Sequence, residues 1–200
     1  MTAQPLTDRG RRTQMALVDA ARKVFEAKGF DGTRMGDIAE AAGVSHGTVY
    51  TWFDTKEAVL AAVADSTIAE LYEGMRTPSG ATALDRIARA NRSYLDTYRD
   101  HARLLEVVEQ ASMTHPEFRT LLADLRATHV KRVSGTIGRL QSDGLATASL
   151  DQDIAAAALC AMVEGFARHW FGRGEIYDET QAVDTLTALW AAALSLQEEK

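Results

Sequence analysis

Two short stretches of helical periodicity, parted by a single glycine, constrain this chain more than anything else in it. In TRMGDIAEAAGVSHGTVYTWF (33–53), Met35, Ile38, Ala39 and Ala42 recur at helical spacing, and Gly43 then interrupts them. Ser45 opens a second stretch on which Val49 and Phe53 point inward. Ile38 and Val44 face an earlier helix that carries Leu17, Val18, Ala21, Val24 and Phe25 and stops at Gly29. The small Ala39 and Ala42 permit close approach, and Gly43 takes a turn conformation that a residue with a Cβ adopts only at a cost. This is a helix-turn-helix arrangement, in which the second helix of the pair enters a major groove. Its outward side chains would be Ser45, His46, Gly47, Thr48, Tyr50 and Thr51. The hydroxyls suit phosphate oxygens, and His46, Gly47 and Thr51 could approach base edges.

The remaining punctuation predicts helices throughout. Thr33 is read as the cap of the second helix, and Asp54 with Glu57 as a capping box opening a helix to about Met75, broken by TPSG at 77–80. Thr82 caps a helix to about Asp100, and another spans about 101–112. Thr114, Pro116 and Glu117 mark the start of one reaching about Ser142. Two more cover about 151–171 and, capped by Asp178 with Gln181, the stretch to about Gln197. The expectation is an all-α chain of about nine helices: a helix-turn-helix domain at 1–56 and a helical ligand-binding and dimerisation domain at 57–200.

Composition allows this and narrows it. The chain is 46% hydrophobic over 200 residues, enough for one large or two small cores. No apolar stretch approaches the roughly 20 residues that span a bilayer, no signal-peptide pattern is present, and the single cysteine has no partner. The expected location is cytoplasmic, with no membrane contact. The net charge of −6 is unevenly placed: residues 1–34 hold seven basic and four acidic side chains, whereas residues 61–200 hold 14 and 20. That permits a polyanion partner at the N-terminal end. Arg9, Arg11 and Arg12 could reach a minor groove, or belong to a solvated tail.

The segment TRMGDIAEAAGVSHGTVYTWFDTKEAVLAAV, and in it the pattern G-V-S-x-G-T-x-Y-x-x-F-x-x-K-E, resembles the DNA-binding domain of the tetracycline-repressor (TetR) family of bacterial regulators. The similarity covers about residues 11–63. It implies a homodimeric repressor that leaves a palindromic double-stranded DNA operator when a small molecule binds its C-terminal domain. By position, the resemblance places Thr33, Ser45, Thr48, Tyr50 and Lys56 at phosphates, and His46, Gly47 and Thr51 near bases. An activator, a regulator set by a protein partner, and a carrier or enzyme with a vestigial helix-turn-helix are the alternatives.

The C-terminal segment at 151–171 is apolar nearly all round, which predicts burial on every side, and the one at 178–197 presents Ala182, Val183, Leu186, Trp190, Ala193 and Leu194 on one stripe. Ile154, Ala158, Ala161, Gly165, Ala182, Val183, Leu186, Trp190, Ala193 and Leu194 are therefore the candidate dimer interface, built as a four-helix contact. Candidate pocket residues are Tyr94, Tyr98, Met113, Phe118, Leu122, Met162, Phe166, His169 and Trp170, which suit a hydrophobic or aromatic effector. Glu164 and Arg168 have the spacing of an intrahelical ion pair, with a polar ligand contact as the alternative. No catalytic or nucleotide-binding motif occurs, the histidines lack metal-ligand spacing, and no cofactor is expected. Cys160, amid apolar neighbours, reads as an inert core thiol.

Overall fold

The computed structural model describes residues 8–73 and 81–197. Among them are eight α-helices: α1 (Asp8–Gly32), α2 (Met35–Ala41), α3 (His46–Trp52), α4 (Lys56–Glu73), α5 (Ala83–Thr114), α6 (Pro116–Ser142), α7 (Gln152–Arg173) and α8 (Glu179–Leu194). The count is one below expectation because the segments at 82–100 and 101–112 are a single helix, α5. No Gly or Pro interrupts 83–114, so the polar run Arg99–Asp100 is an exposed face of a continuing helix. The predicted break at 77–80 lies outside the described residues.

Two compact units form. Of the described residues, the first takes those up to Thr67 together with Arg103–Leu121; the second takes those between Ile68 and Ala102 and those from Leu122 onward. In the first unit, Leu17, Ala21 and Phe25 of α1 are fully buried with Ile38, Val49, Val59, Leu60, Val63 and Leu104. α1 is broken at Gly29, whose φ of 70° lies in the left-handed region, so the sequence stop is real although helix resumes to Gly32. Phe30 then stacks on Phe25 and meets His115 and Phe118 edge-on at 5.0 and 5.6 Å.

In the second unit, Ala83, Ile137, Leu140, Ala146, Ala156, Leu159 and Leu194 form one buried cluster, with Met162 and Trp190 packed against it. Asp178 caps α8 through Gln181 N–H, as its sequence predicts, and Asp151 caps α7. α8 ends at Leu194 rather than Gln197, because Ser195 turns left-handed at φ 48°. Beyond it the backbone is tied to the loop after α6: Thr147 N–H donates to the Leu194 carbonyl at 2.8 Å, and Gln197 N–H to the Leu145 carbonyl at 3.0 Å.

Three caps differ from expectation. The N-cap of α2 is Arg34, whose N–H donates to the Asp37 carboxylate at 2.8 Å, while the Thr33 hydroxyl donates backward to the Gly29 carbonyl at 2.7 Å. Thr55, not Asp54, caps α4 by accepting from Ala58 N–H at 3.1 Å. Thr114 ends α5 instead of starting α6, whose first residue is Pro116.

Candidate nucleic-acid interface and effector cleft

The helix-turn-helix is built from inside outward. Ile38 and Val49 are fully buried, Ala39 and Phe53 nearly so, and these fix α2 and α3 on the first unit's core. Gly43 makes the turn at φ +64°, and Val44 N–H donates to the Ala39 carbonyl at 3.0 Å to close it. Ser45 caps α3, accepting from Thr48 N–H at 3.2 Å while its hydroxyl meets that of Thr48 at 2.9 Å. Lys28 pairs with Asp37 at 2.9 Å, joining α1 to α2. The Lys28 ammonium and the Arg34 N–H hold the Asp37 carboxyl below its ordinary value.

With its apolar side held this way, α3 presents Ser45, His46, Gly47, Tyr50 and Thr51 to solvent, with Thr48 half-buried. The His46 and Tyr50 rings meet edge to face at 5.5 Å, and the Thr51 hydroxyl donates to the Gly47 carbonyl at 3.0 Å. Trp52 is half-buried. Two of the predicted residues stand apart from this face. Thr33 is only 2% exposed and its hydroxyl is occupied by Gly29, so it is not presented to a ligand. Lys56 donates to the Phe30 carbonyl at 2.8 Å and lies 4.2 Å above the Phe30 ring. At the start of α1, Arg9 and Arg12 border a groove with Ala42 and Val44.

The second unit contains a cleft of about 490 Å³. Tyr72, Arg86, Ile87, Asn91, His129, Arg132, Ile137, Arg139, Trp190 and Leu194 are among its lining residues. None of the nine pocket candidates lines it. Met113, which is 72% exposed, and the buried Phe118 belong to the first unit. Tyr94, Tyr98, Phe166 and Trp170 instead form a ring cluster with Phe171 and Tyr177. Met162 packs on the buried cluster, Leu122 is half-buried and His169 is exposed. Trp190, read as an interface residue, is a cleft wall. The sequence did carry a signal: His129, Arg132, Val133, Thr136, Ile137 and Leu140 recur at helical spacing on one face of α6.

Nearby, Glu164 accepts from Arg126 Nε on α6 at 2.9 Å, and Arg168 adds its charge. Burial pushes the Glu164 carboxyl up, against the pull of both arginines. Burial likewise pushes the Cys160 thiol up to about 12, which suits a packing residue. Of the predicted interface residues, Ala182, Val183, Leu186 and Leu194 are buried within the unit itself, whereas Ile154, Ala158, Ala161 and Ala193 are exposed and Gly165 is half-buried. Among the described residues no cluster of His, Cys, Asp or Glu suits a metal, and no helix is long and apolar enough to cross a membrane.

A buried two-helix scaffold with a polar, solvent-facing second helix defines the helix-turn-helix class of DNA-binding regulators. Residues 17–63 match the family profile of bacterial regulatory proteins of the tetR family, and residues 87–195 match that of the C-terminal domain of the transcriptional regulator EthR. The chain belongs to the TetR family of bacterial transcriptional regulators. It is 23% identical over 205 residues to the regulator EthR of Mycobacterium tuberculosis, covering 96% of this chain and 95% of that one. Its fold matches that of the fatty acid degradation regulator FadR of Bacillus halodurans with a TM-score of 0.78 at 19% identity, over 97% and 100% of the two chains. FadR of Bacillus subtilis, solved in complex with stearoyl-CoA, matches with a TM-score of 0.73 at 21% identity, over 88% of this chain and 96% of that one.

Proposed function

We propose that this chain is a homodimeric repressor that holds a palindromic operator and releases it when a small, apolar or aromatic effector enters the second unit. The observation that carries the DNA reading is the outward face of α3, polar and exposed while Val49 and Phe53 anchor its back. Ser45, Thr48 and Tyr50 take phosphates; His46, Gly47 and Thr51 lie against base edges. Thr33 takes no part, because its hydroxyl is occupied, and Lys56 reaches a phosphate only with the N–H groups that Phe30 leaves over. Residues 1–56 serve DNA binding, and residues 57–200 serve effector binding and dimerisation.

Dimerisation is supported by an apolar row left exposed among the described residues. Ile154 is 72% exposed and Leu189 48%, flanked on α7 and α8 by the exposed Ala157, Ala158, Ala161, Ala188, Ala192 and Ala193. A two-fold pairing through this row gives two recognition helices, which read half-sites about 34 Å apart or a multiple of that. The effector favours a conformer whose recognition helices are wrongly spaced. By linkage, operator then weakens effector binding by the same factor.

The test is selection of bound sequences from a random duplex library at one stated salt concentration. A two-fold palindrome is expected; enrichment no better than non-specific binding by refolded, effector-free protein overturns the reading. On the selected site, His46→Ala or Thr51→Ala relaxes preference at particular base pairs, and a uniform loss across all sequences refutes their assignment to bases.

A further inference from the structure

We propose that the cleft of the second unit takes an amphipathic organic acid, with its apolar body inside and its carboxylate held at a mouth of arginines around Arg132. This deepens the effector reading above and rests on the cleft being the effector site.

The shape and the floor come first. A volume of about 490 Å³ falls inside the range of roughly 300–1,000 Å³ of small-molecule sites. The interior is apolar, with Ile87, Val133, Ile137, Trp190 and Leu194 among its walls. Such a surface gains by excluding water and gives nothing to a polar body.

The charge at the lining is one-sided. Arg86, Arg132 and Arg139 border the cleft against a single carboxylate, Asp143. Arg86 donates to the Ala81 carbonyl, just before α5, at 2.6 Å and Arg139 to the Thr136 hydroxyl on its own helix at 2.9 Å, so both guanidinium groups have partners. Arg132 is exposed, and its guanidinium makes no ion pair or hydrogen bond among the described residues. A planar fork of donors left open beside an apolar hollow matches a carboxylate in both charge and geometry.

The apolar character of the lining extends to its rings. His129, only 7% exposed, stacks flat on Tyr72 at 4.0 Å between ring centres, and both residues line the cleft with Trp190.

The probes are decanoate and 1-decanol, which share an apolar body and differ in the head. Binding of each to the full chain is measured by calorimetry in the absence of DNA. Decanoate is expected to bind about tenfold more tightly, as a charge-assisted hydrogen bond in a partly wet site allows. Arg132→Gln, a surface change, is expected to bring decanoate down to the affinity of decanol and leave decanol unmoved; Arg132→Lys keeps part of the difference. Equal affinities in the native chain, equal losses of both probes in Arg132→Gln, or binding of neither overturns the proposal. Operator release is read separately. Decanoate that binds through Arg132 but leaves operator affinity unchanged upholds the ligand chemistry and refutes the effector reading.

Discussion

Lys56 offers a prediction in which stability and DNA binding can be pulled apart. Its ammonium sits 2.8 Å from the Phe30 carbonyl and 4.2 Å above the Phe30 ring, so it clamps the start of α4 onto the chain just past the Gly29 break. A hydrogen bond from a charged donor contributes about 1.5–3 kcal/mol when its loss strands the acceptor. Here Phe30 also accepts from Thr33 N–H at 3.2 Å, so the carbonyl keeps a partner and the lower part of the range applies. The half-buried cation over the ring adds about 0.5–1 kcal/mol. Lys56→Met, which keeps the apolar stem against the ring, should therefore cost about 2–2.5 kcal/mol in urea melts. For a chain this long that lowers Tm by roughly 4–10 °C. An unchanged urea midpoint refutes the clamp. The same variant, titrated with operator at several salt concentrations, reports on phosphate: a slope lower by about 0.9 shows that the ammonium also met one. An unchanged slope leaves Lys56 a purely structural residue.

Three further outcomes are expected. Gly43→Ala forces a Cβ into the left-handed region at φ +64°, with open space around it; the cost should be about 1–2 kcal/mol of conformational origin, and a urea midpoint equal to the native one refutes it. Ala161→Glu places charge in the exposed apolar row of α7; sedimentation equilibrium should show monomers and operator affinity should collapse, whereas an intact dimer removes this row from the interface. His129 is held down to about 4 by burial and by the charge of Arg132. Between about pH 6.5 and 4 the unfolded chain then binds the extra proton, so stability is present above that window and is lost as pH falls through it. His129→Phe should flatten the fall across the window by about 3 kcal/mol, and an identical pH profile of unfolding refutes the buried neutral ring.

The two units differ in how much of them could be read from residues alone. The helix-turn-helix was legible because its determinants are local: Gly43 for a left-handed turn, Ser45 as a cap, Val49 and Phe53 four apart on one face. Thr33 and Lys56 were less so, since what occupies them is the backbone around Gly29 and Phe30, and no spacing announces a hydrogen bond across 26 residues. In the second unit, aromatic residues drew attention as pocket lining, yet Phe166, Trp170 and Tyr177 satisfy one another in a ring cluster. The cleft is instead bordered by arginines, aliphatic side chains and three other rings, those of Tyr72, His129 and Trp190. Which hollow stays open depends on how long-range packing closes the others, and a one-dimensional pattern does not encode that. Trp190 marks the same gap: it lies on the α8 stripe with Leu186 and Leu194, but those two are buried and it stops at a cavity wall.

The two backbone bonds that tie the end of α8 to the loop after α6 have a consequence for how such a regulator can change over generations. Thr147 N–H on the Leu194 carbonyl and Gln197 N–H on the Leu145 carbonyl involve no side-chain atom. Leu145 and Leu194 also line the cleft. The seam that closes this end of the unit is therefore indifferent to which residues carry it, provided that none is proline at 147 or 197. Descendants can exchange the side chains that face the cleft, one at a time, while the wall bearing them stays fastened. New chemical preferences become accessible in this fold by small steps that leave its closure intact.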